Sequence, residues 1–287
     1  KKYDESSITV LKGLEPVKQR PGMYTRTENP LHILQEVVDN SADEALAGYT
    51  HLVSVTCHED DSFSIVDDGR GIPVGLHPEE KIPVIEIVYT RLHSGGKFDK
   101  GVESAYAFSG GLHGVGVSVT NALSKKVEVT VWRQSFEWKI VFEHGEVVSN
   151  LSKIKQVKNK TGTHVRVWPE QKYFDTNKIP LDALKNFLRA RAILLPGVEF
   201  SFYCEKTNSR QNWCYQNGLA DYFSETMLGS DFAAPIWECE SYINSEDDFF
   251  SEGEGANWIL TFSNTGPIIR ESYVNLIPTL AGGTHEA

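Results

Sequence analysis

The chain contains 287 residues, 40% of them hydrophobic, and carries a formal net charge of −11 at pH 7. It can bury one large core or two ordinary ones, has no apolar run of membrane-span length, and is too acidic to grip nucleic acid strongly unaided. Cys57, Cys204, Cys214 and Cys239 lack CxxC or Cys/His spacing, which excludes a recognisable zinc site or disulfide frame.

Free thiols, and a start (Lys1-Lys2-Tyr3-Asp4-Glu5) with no apolar signal region, predict a cytoplasmic protein. Residues 1–10 read as a polar arm, and Arg20-Pro21-Gly22-Met23-Tyr24 as a turn. Over residues 31–47 the spacing predicts a helix, with Leu31, Leu34, Val37, Val38, Ala42, Ala45 and Leu46 on one face. His32, Glu36 and Asn40 recur every four residues on another face. Strands are predicted at 52–56 and 62–66, closing on the turn Asp67-Asp68-Gly69-Arg70-Gly71. A helix at 83–92, a polar glycine-containing loop at 94–109 and a helix at 115–123 follow.

The pattern then becomes strand-rich, at 127–132, 137–142, 146–148 and 163–168, with a lysine-rich turn at 153–160. A helix at 181–194 and strands at 198–203 and 211–215 lead to a domain boundary near Gln216. Beyond it lie a helix at 219–228, an acidic loop at 245–255 and strands at 258–262 and 272–277. The order suits an α+β sandwich with helices on one face of a mixed sheet.

Several residues on this frame carry chemistry. Glu36 and Asn40, one turn apart, project the same way. They form either a solvated polar face or a carboxylate base beside an amide that can ligate Mg²⁺, with His32 one turn earlier holding Glu36. Asp67 ends an apolar strand. It can stabilise its own Asp-Gly turn or accept a hydrogen bond from an adenine amine. Gly69 and Gly71 would let backbone approach a flat base, with Ile72 and Pro73 as an apolar wall. Lys97 is a solvated loop cation or a point charge over phosphates. Thr163 is by default a turn residue.

Between Phe108 and Val117 the run Phe-Ser-Gly-Gly-Leu-His-Gly-Val-Gly-Val precedes a helix, and its bare N–H groups could cradle phosphate oxygens. No GxxxxGK[ST] occurs, so the site is not a P-loop. Nor does a strand precede the cluster as a dinucleotide fingerprint requires.

Four segments together carry a resemblance: Glu36-Val37-Val38-Asp39-Asn40, Asp67-Asp68-Gly69-Arg70-Gly71-Ile72-Pro73, Gly110-Gly111-Leu112-His113-Gly114-Val115-Gly116 and Thr161-Gly162-Thr163. They resemble the four motifs of the GHKL ATPases. Within that superfamily the chain is similar to the B-type subunits of bacterial type II DNA topoisomerases, more to topoisomerase IV than to gyrase. The closer likeness lies in Leu14-Glu15-Pro16-Val17, Arg20 to Thr25, Trp213-Cys214-Tyr215-Gln216 and Ser272-Tyr273-Val274-Asn275-Leu276-Ile277-Pro278-Thr279.

The resemblance implies an ATP-operated gate. Two copies dimerise on binding ATP, and the full complex includes the A-type subunit of topoisomerase IV and DNA. Glu36 is implied as general base with His32 helping, Asn40 as Mg²⁺ ligand, and Asp67 as adenine reader beside Gly71, Ile72, Pro73 and Thr163. Gly111, Leu112, His113, Gly114, Val115, Gly116 and Val117 form the implied phosphate lid, with Lys97 over it. Tyr3 is the implied arm residue reaching the neighbour's nucleotide. Glu44, Arg70 and Arg133 are the implied outer rim targeted by coumarin antibiotics, with Arg70, also an implied nucleotide-binding residue, pairing to Glu44.

Residues 1–215 are expected to be the arm and ATPase domain, and 216–287 part of a transducer domain. The family's γ-phosphate-sensing lysine is expected beyond Ala287, so these residues alone should hydrolyse ATP weakly. A histidine-kinase reading lacks a phosphoacceptor helix upstream of Leu31. A non-catalytic ATP-binding clamp remains the other reading.

Overall fold

The computed structural model describes residues 11–94, 116–244, 253–279 and 282. Its centre is built by period-two alternation. In β1 (Leu52–Cys57), Val53, Val55 and Cys57 turn inward, and β2 (Phe63–Asp67) returns antiparallel with Ile65 opposite Val55. The sheet grows through β3 (Ser124–Arg133), β4 (Phe136–Glu143), β5 (Glu146–Gln156) and β6 (Gly162–Pro169). On the other side it adds β7 (Glu199–Cys204) and β8 (Ser209–Trp213). The eight strands lie in the order β5-β4-β3-β6-β2-β1-β7-β8. Neighbours are antiparallel except β1 and β7, which makes the sheet mixed.

Helices cover one face: α1 (Glu15–Gln19), α2 (Leu31–Leu46), α3 (Val84–Thr90), α4 (Gly116–Ala122) and α5 (Leu181–Leu194). On α2, Ile33, Leu34, Val38 and Ala42 are fully buried and share one cluster with Val129, Val165 and Leu184. Each aliphatic side chain so buried is worth about 1.5–3 kcal/mol, so the apolar stripe of α2 fixes its rotation. That rotation decides where Glu36 and Asn40 point. The opposite sheet face is polar, with Lys139 Nζ 2.8 Å from Glu128 and Arg166 paired in register with Glu128.

The α+β reading with helices on one sheet face is what the structure has. Three local expectations are corrected. Residues 153–156 belong to β5, which runs for 11 residues. It is an edge strand, and lysines are favoured there because they discourage further pairing; Lys153 lies 4.0 Å from the Phe136 ring centroid. Past α6 (Leu219–Thr226), a strand at Trp237–Tyr242 (β9) pairs with Gly255–Leu260 (β10), where only 258–262 was expected. The expected strand at 272–277 is a hairpin of β11 (Tyr273–Val274) and β12 (Ile277–Pro278), turned by left-handed Asn275 and Leu276.

Among the described residues no helix is long and apolar enough to cross a membrane. The four cysteines are free thiols; burial pushes the Cys57 thiol up to about 12, with Cys204 adding to the shift.

Candidate active site

Helix α2 presents Glu36, Asn40 and Glu44 at four-residue intervals, and all three are half-buried. Glu36 faces the start of α4. A Cβ at Gly116 would collide with the Glu36 carboxylate, so only glycine lets the two elements approach this closely. His32 Nε2 lies 3.7 Å from Glu36 Oε1, while its Nδ1 is 2.8 Å from Thr25 Oγ1. Burial, helped by the positive charge of Arg26, lowers the His32 pKa and favours the neutral ring at pH 7. The ring can therefore orient Glu36 without neutralising it.

Asp67 closes β2 and is 8% exposed. Its Oδ1 accepts from the amides of Gly69 at 3.0 Å and Thr163 at 3.1 Å, and its Oδ2 accepts from Ser41 Oγ at 2.8 Å. Burial pushes its carboxyl up to about 6, against the pull of those three donors and with a further push from Glu44. An ionised carboxylate offers about four lone-pair sites. Among the described residues these three bonds leave one acceptor site. Gly162 (φ +127°) makes the arrangement possible, because any Cβ there would strike the Asp67 carbonyl and drive β6 away. Thr163 is thus a buried strand residue, correcting its default reading as a turn.

Arg70 occupies the outer edge. Its Nε is 3.0 Å from Glu44 Oε2 and its Nη2 2.8 Å from Glu44 Oε1, a bidentate pair of the kind that fixes geometry. The Arg70 guanidinium also stacks 3.8 Å from the Tyr49 ring centroid. Arg133 Nη1 donates to the carbonyls of Arg70 at 3.1 Å and Gly71 at 2.6 Å. The anticipated Glu44–Arg70 pairing is present, with Arg133 against the same turn.

Ile72 packs partly against the core, Pro73 is exposed and Val117 is buried in α4. Tyr3, Lys97, Gly111, Leu112, His113, Gly114 and Val115 lie outside the described residues. Two contributors escaped the sequence reading, Ser41 and Thr25. Ser41 was legible in principle as a hydroxyl among the apolar positions Val37, Val38 and Ala42; Thr25 carried no signal.

The family model for histidine kinase-, DNA gyrase B- and HSP90-like ATPases matches residues 26–172, which contain Glu36, Asn40, Asp67, Arg70, Gly116 and Thr163. The chain belongs to this ATPase family. Over 285 residues it is 49% identical to the B subunit of DNA topoisomerase 4 from Salmonella typhimurium, covering 99% of this chain and 44% of that protein. The chain therefore spans less than half the length of this relative. A topoisomerase IV ATP-binding domain of Francisella tularensis, solved with a small-molecule inhibitor, is 45% identical with a TM-score of 0.64. The match covers 73% of this chain and 98% of that domain. The 43K ATPase domain of Thermus thermophilus gyrase B, solved with an aminocoumarin, is 31% identical with a TM-score of 0.78. That match covers 95% of this chain and 68% of the other. The fold is that of type II topoisomerase ATPase domains, and topoisomerase IV relatives share more sequence than the gyrase structure.

Proposed function

We propose that the chain is the ATP-binding and hydrolysing region of a topoisomerase IV B subunit, with its nucleotide site along α2. One observation carries this reading. A single helix contacts Gly116 through Glu36, holds Asp67 through Ser41 and anchors Arg70 through Glu44. From Glu36 to Ser41 it rises about 7.5 Å, which sets the hydrolytic carboxylate and the base-reading carboxylate held by Ser41 at separate points along one nucleotide.

Asp67 accepts from the adenine amine through its remaining acceptor site, and Gly71, Ile72 and Thr163 border the base. Guanine carries a carbonyl at that position and would face the carboxylate acceptor to acceptor. Glu36 is the general base that takes a proton from the attacking water, and His32 is its positioning residue. The glycines ending at Gly116 bind phosphate.

Mg²⁺ fits a site of this composition. Mg²⁺ is commonly bound through few protein ligands plus phosphates and water, which suits the half-buried amide of Asn40 one turn from the Glu36 carboxylate. Asn40 would hold it, adding no charge beside Glu36. The ion would neutralise charge building on the phosphates.

The same reading makes residues 1–215 the arm and ATPase domain and 216–287 part of a transducer domain. It makes a second copy, the A-type subunit of topoisomerase IV and DNA the partners of the whole protein. The deciding measurement is titration with ATP and with GTP in the presence of Mg²⁺, followed by phosphate release. Equal affinity for the two nucleotides would overturn the assignment of Asp67. Decatenation rather than supercoiling by the assembled complex separates topoisomerase IV from gyrase.

A further inference from the structure

Arg191 on α5 is 2% exposed, and its guanidinium joins two elements far apart in the chain. Its Nε and Nη2 both lie 2.8 Å from Asp39 Oδ1 on α2, between Glu36 and Asn40 in sequence. Its Nη1 donates to the carbonyl of Leu276, 85 residues later, in the turn of the β11–β12 hairpin. The Phe187 ring, one turn back on α5, lies 4.2 Å from the guanidinium carbon. Leu276 is itself in a left-handed conformation and 6% exposed, with its side chain in the main core cluster. The hairpin is therefore seated on the ATPase core, and its turn is read by the same cation that holds α2.

This chemistry is specific to arginine. A planar guanidinium can offer two N–H groups to a carboxylate and a third to a carbonyl, whereas a lysine ammonium is a single point charge on a flexible stem. A buried ion pair needed only for packing can often be replaced by apolar side chains without loss. A cation that bridges the catalytic helix and a second unit has a further use.

We propose that Arg191 is a positioning residue that couples α2 to the hairpin at 272–279. Displacement of Glu36 and Asn40 on nucleotide binding is passed through Asp39 and Arg191 to Leu276. By linkage, the seating of the hairpin biases α2 in return. The proposal rests on the nucleotide reading above and adds a route from that site to the second unit.

The test uses the full-length protein and a non-hydrolysable ATP analogue with Mg²⁺. Hydrogen exchange of residues 272–279 is measured with and without analogue, alongside kcat and KM for ATP, in wild type, Arg191→Lys and Arg191→Gln. In wild type the analogue slows exchange in the hairpin. Arg191→Lys should weaken analogue binding by no more than the factor by which the analogue slows hairpin exchange in wild type, lose about tenfold or more in kcat, and lose the hairpin response. Adding Asp39→Asn to Arg191→Lys should then cost little more, because the two residues act on one path. If Arg191→Gln fails to fold, Arg191→Lys carries the comparison. A full hairpin response with kcat within about twofold of wild type in Arg191→Lys would overturn the coupling. A wild-type protein that binds the analogue without a hairpin response overturns the coupling alone. One that binds no analogue overturns the nucleotide reading and the coupling with it.

Discussion

Ser41 Oγ donates to Asp67 Oδ2 at 2.8 Å, tying the middle of α2 to the end of β2. The bond joins the helix bearing Glu36 to the carboxylate that would read the base. It also supports the charged form of Asp67 against a burial penalty that raises the carboxyl to about 6.

Asp67 should therefore give opposite pH responses in stability and in binding. Its folded pKa of about 6 lies above the ordinary 3.8, so folding favours the protonated form. The stabilisation is full below the ordinary value and is lost as pH rises through about 6; a shift of this size corresponds to about 3 kcal/mol. Adenine affinity runs the other way, because the amine needs an ionised acceptor. Asp67→Asn should remove both dependences. At pH 7.5 it should cost roughly tenfold to a hundredfold in ATP affinity while leaving the fold as stable as wild type or more so. Calorimetric titrations and thermal melts between pH 5 and pH 8 check this, and an unchanged ATP affinity in Asp67→Asn would remove Asp67 from the site.

Ser41→Ala should shift the same curve without abolishing it. Removing a donor to a buried carboxylate costs about 1.5–3 kcal/mol when the bond is to the charged form. The acid limb of ATP binding should move to higher pH in the variant, with affinity at pH 8 closer to wild type than at pH 6.5. A limb at the wild-type pH would show that Ser41 does not support the ionised carboxylate.

How much of this could be read before the fold was known differs by element. The helix at 31–47 was legible because its apolar period runs for four turns, and that same period rotates Glu36, Asn40 and Glu44 to one side. Asp67 was legible only as a choice between a turn-stabilising carboxylate and a base reader. Its Oδ1 does make the turn bond to Gly69, yet an acceptor site on the carboxylate remains, so the two readings never competed. α1 has five residues, too few to show a period. β9 places Glu238 and Glu240 between uncharged residues but has no buried residue on either face, so no buried face marked it. The Arg191–Leu276 contact joins residues 85 apart and leaves no local trace in sequence.

Glu36 and Gly116 should separate chemistry from binding. Glu36→Gln keeps the shape of the side chain and removes the base, so ATP should bind while kcat falls by about 10²–10⁴. Gly116→Ala places a methyl where the Glu36 carboxylate sits. It should lower ATP affinity and turnover together, because α4 or Glu36 must move. Single-turnover hydrolysis by the full-length protein with parallel analogue titration distinguishes them; wild-type turnover in Glu36→Gln would assign the base elsewhere.

The outer edge should matter more for inhibitors than for ATP. Glu44 holds Arg70 through two guanidinium bonds and one to its backbone amide, Tyr49 stacks on the guanidinium, and Arg133 clasps the Arg70 and Gly71 carbonyls. The gyrase B relative was solved with an aminocoumarin; for this chain the rim is the coumarin contact that the family resemblance implies, and variants at the rim test that implication. Glu44→Gln leaves one weaker hydrogen bond in place of a charge-assisted pair, so Arg70 loses its fixed geometry. Being partly exposed, the pair should contribute only about 1 kcal/mol to stability. Arg133→Gln removes the clasp without touching Asp67. Both variants should lose about tenfold or more in aminocoumarin affinity, with ATP affinity changed by less than about threefold. Competition binding decides it. Equal losses for both ligands would mean that rim and base pocket form one energetic unit, with the Arg70–Glu44 pair holding Asp67 as well as the rim.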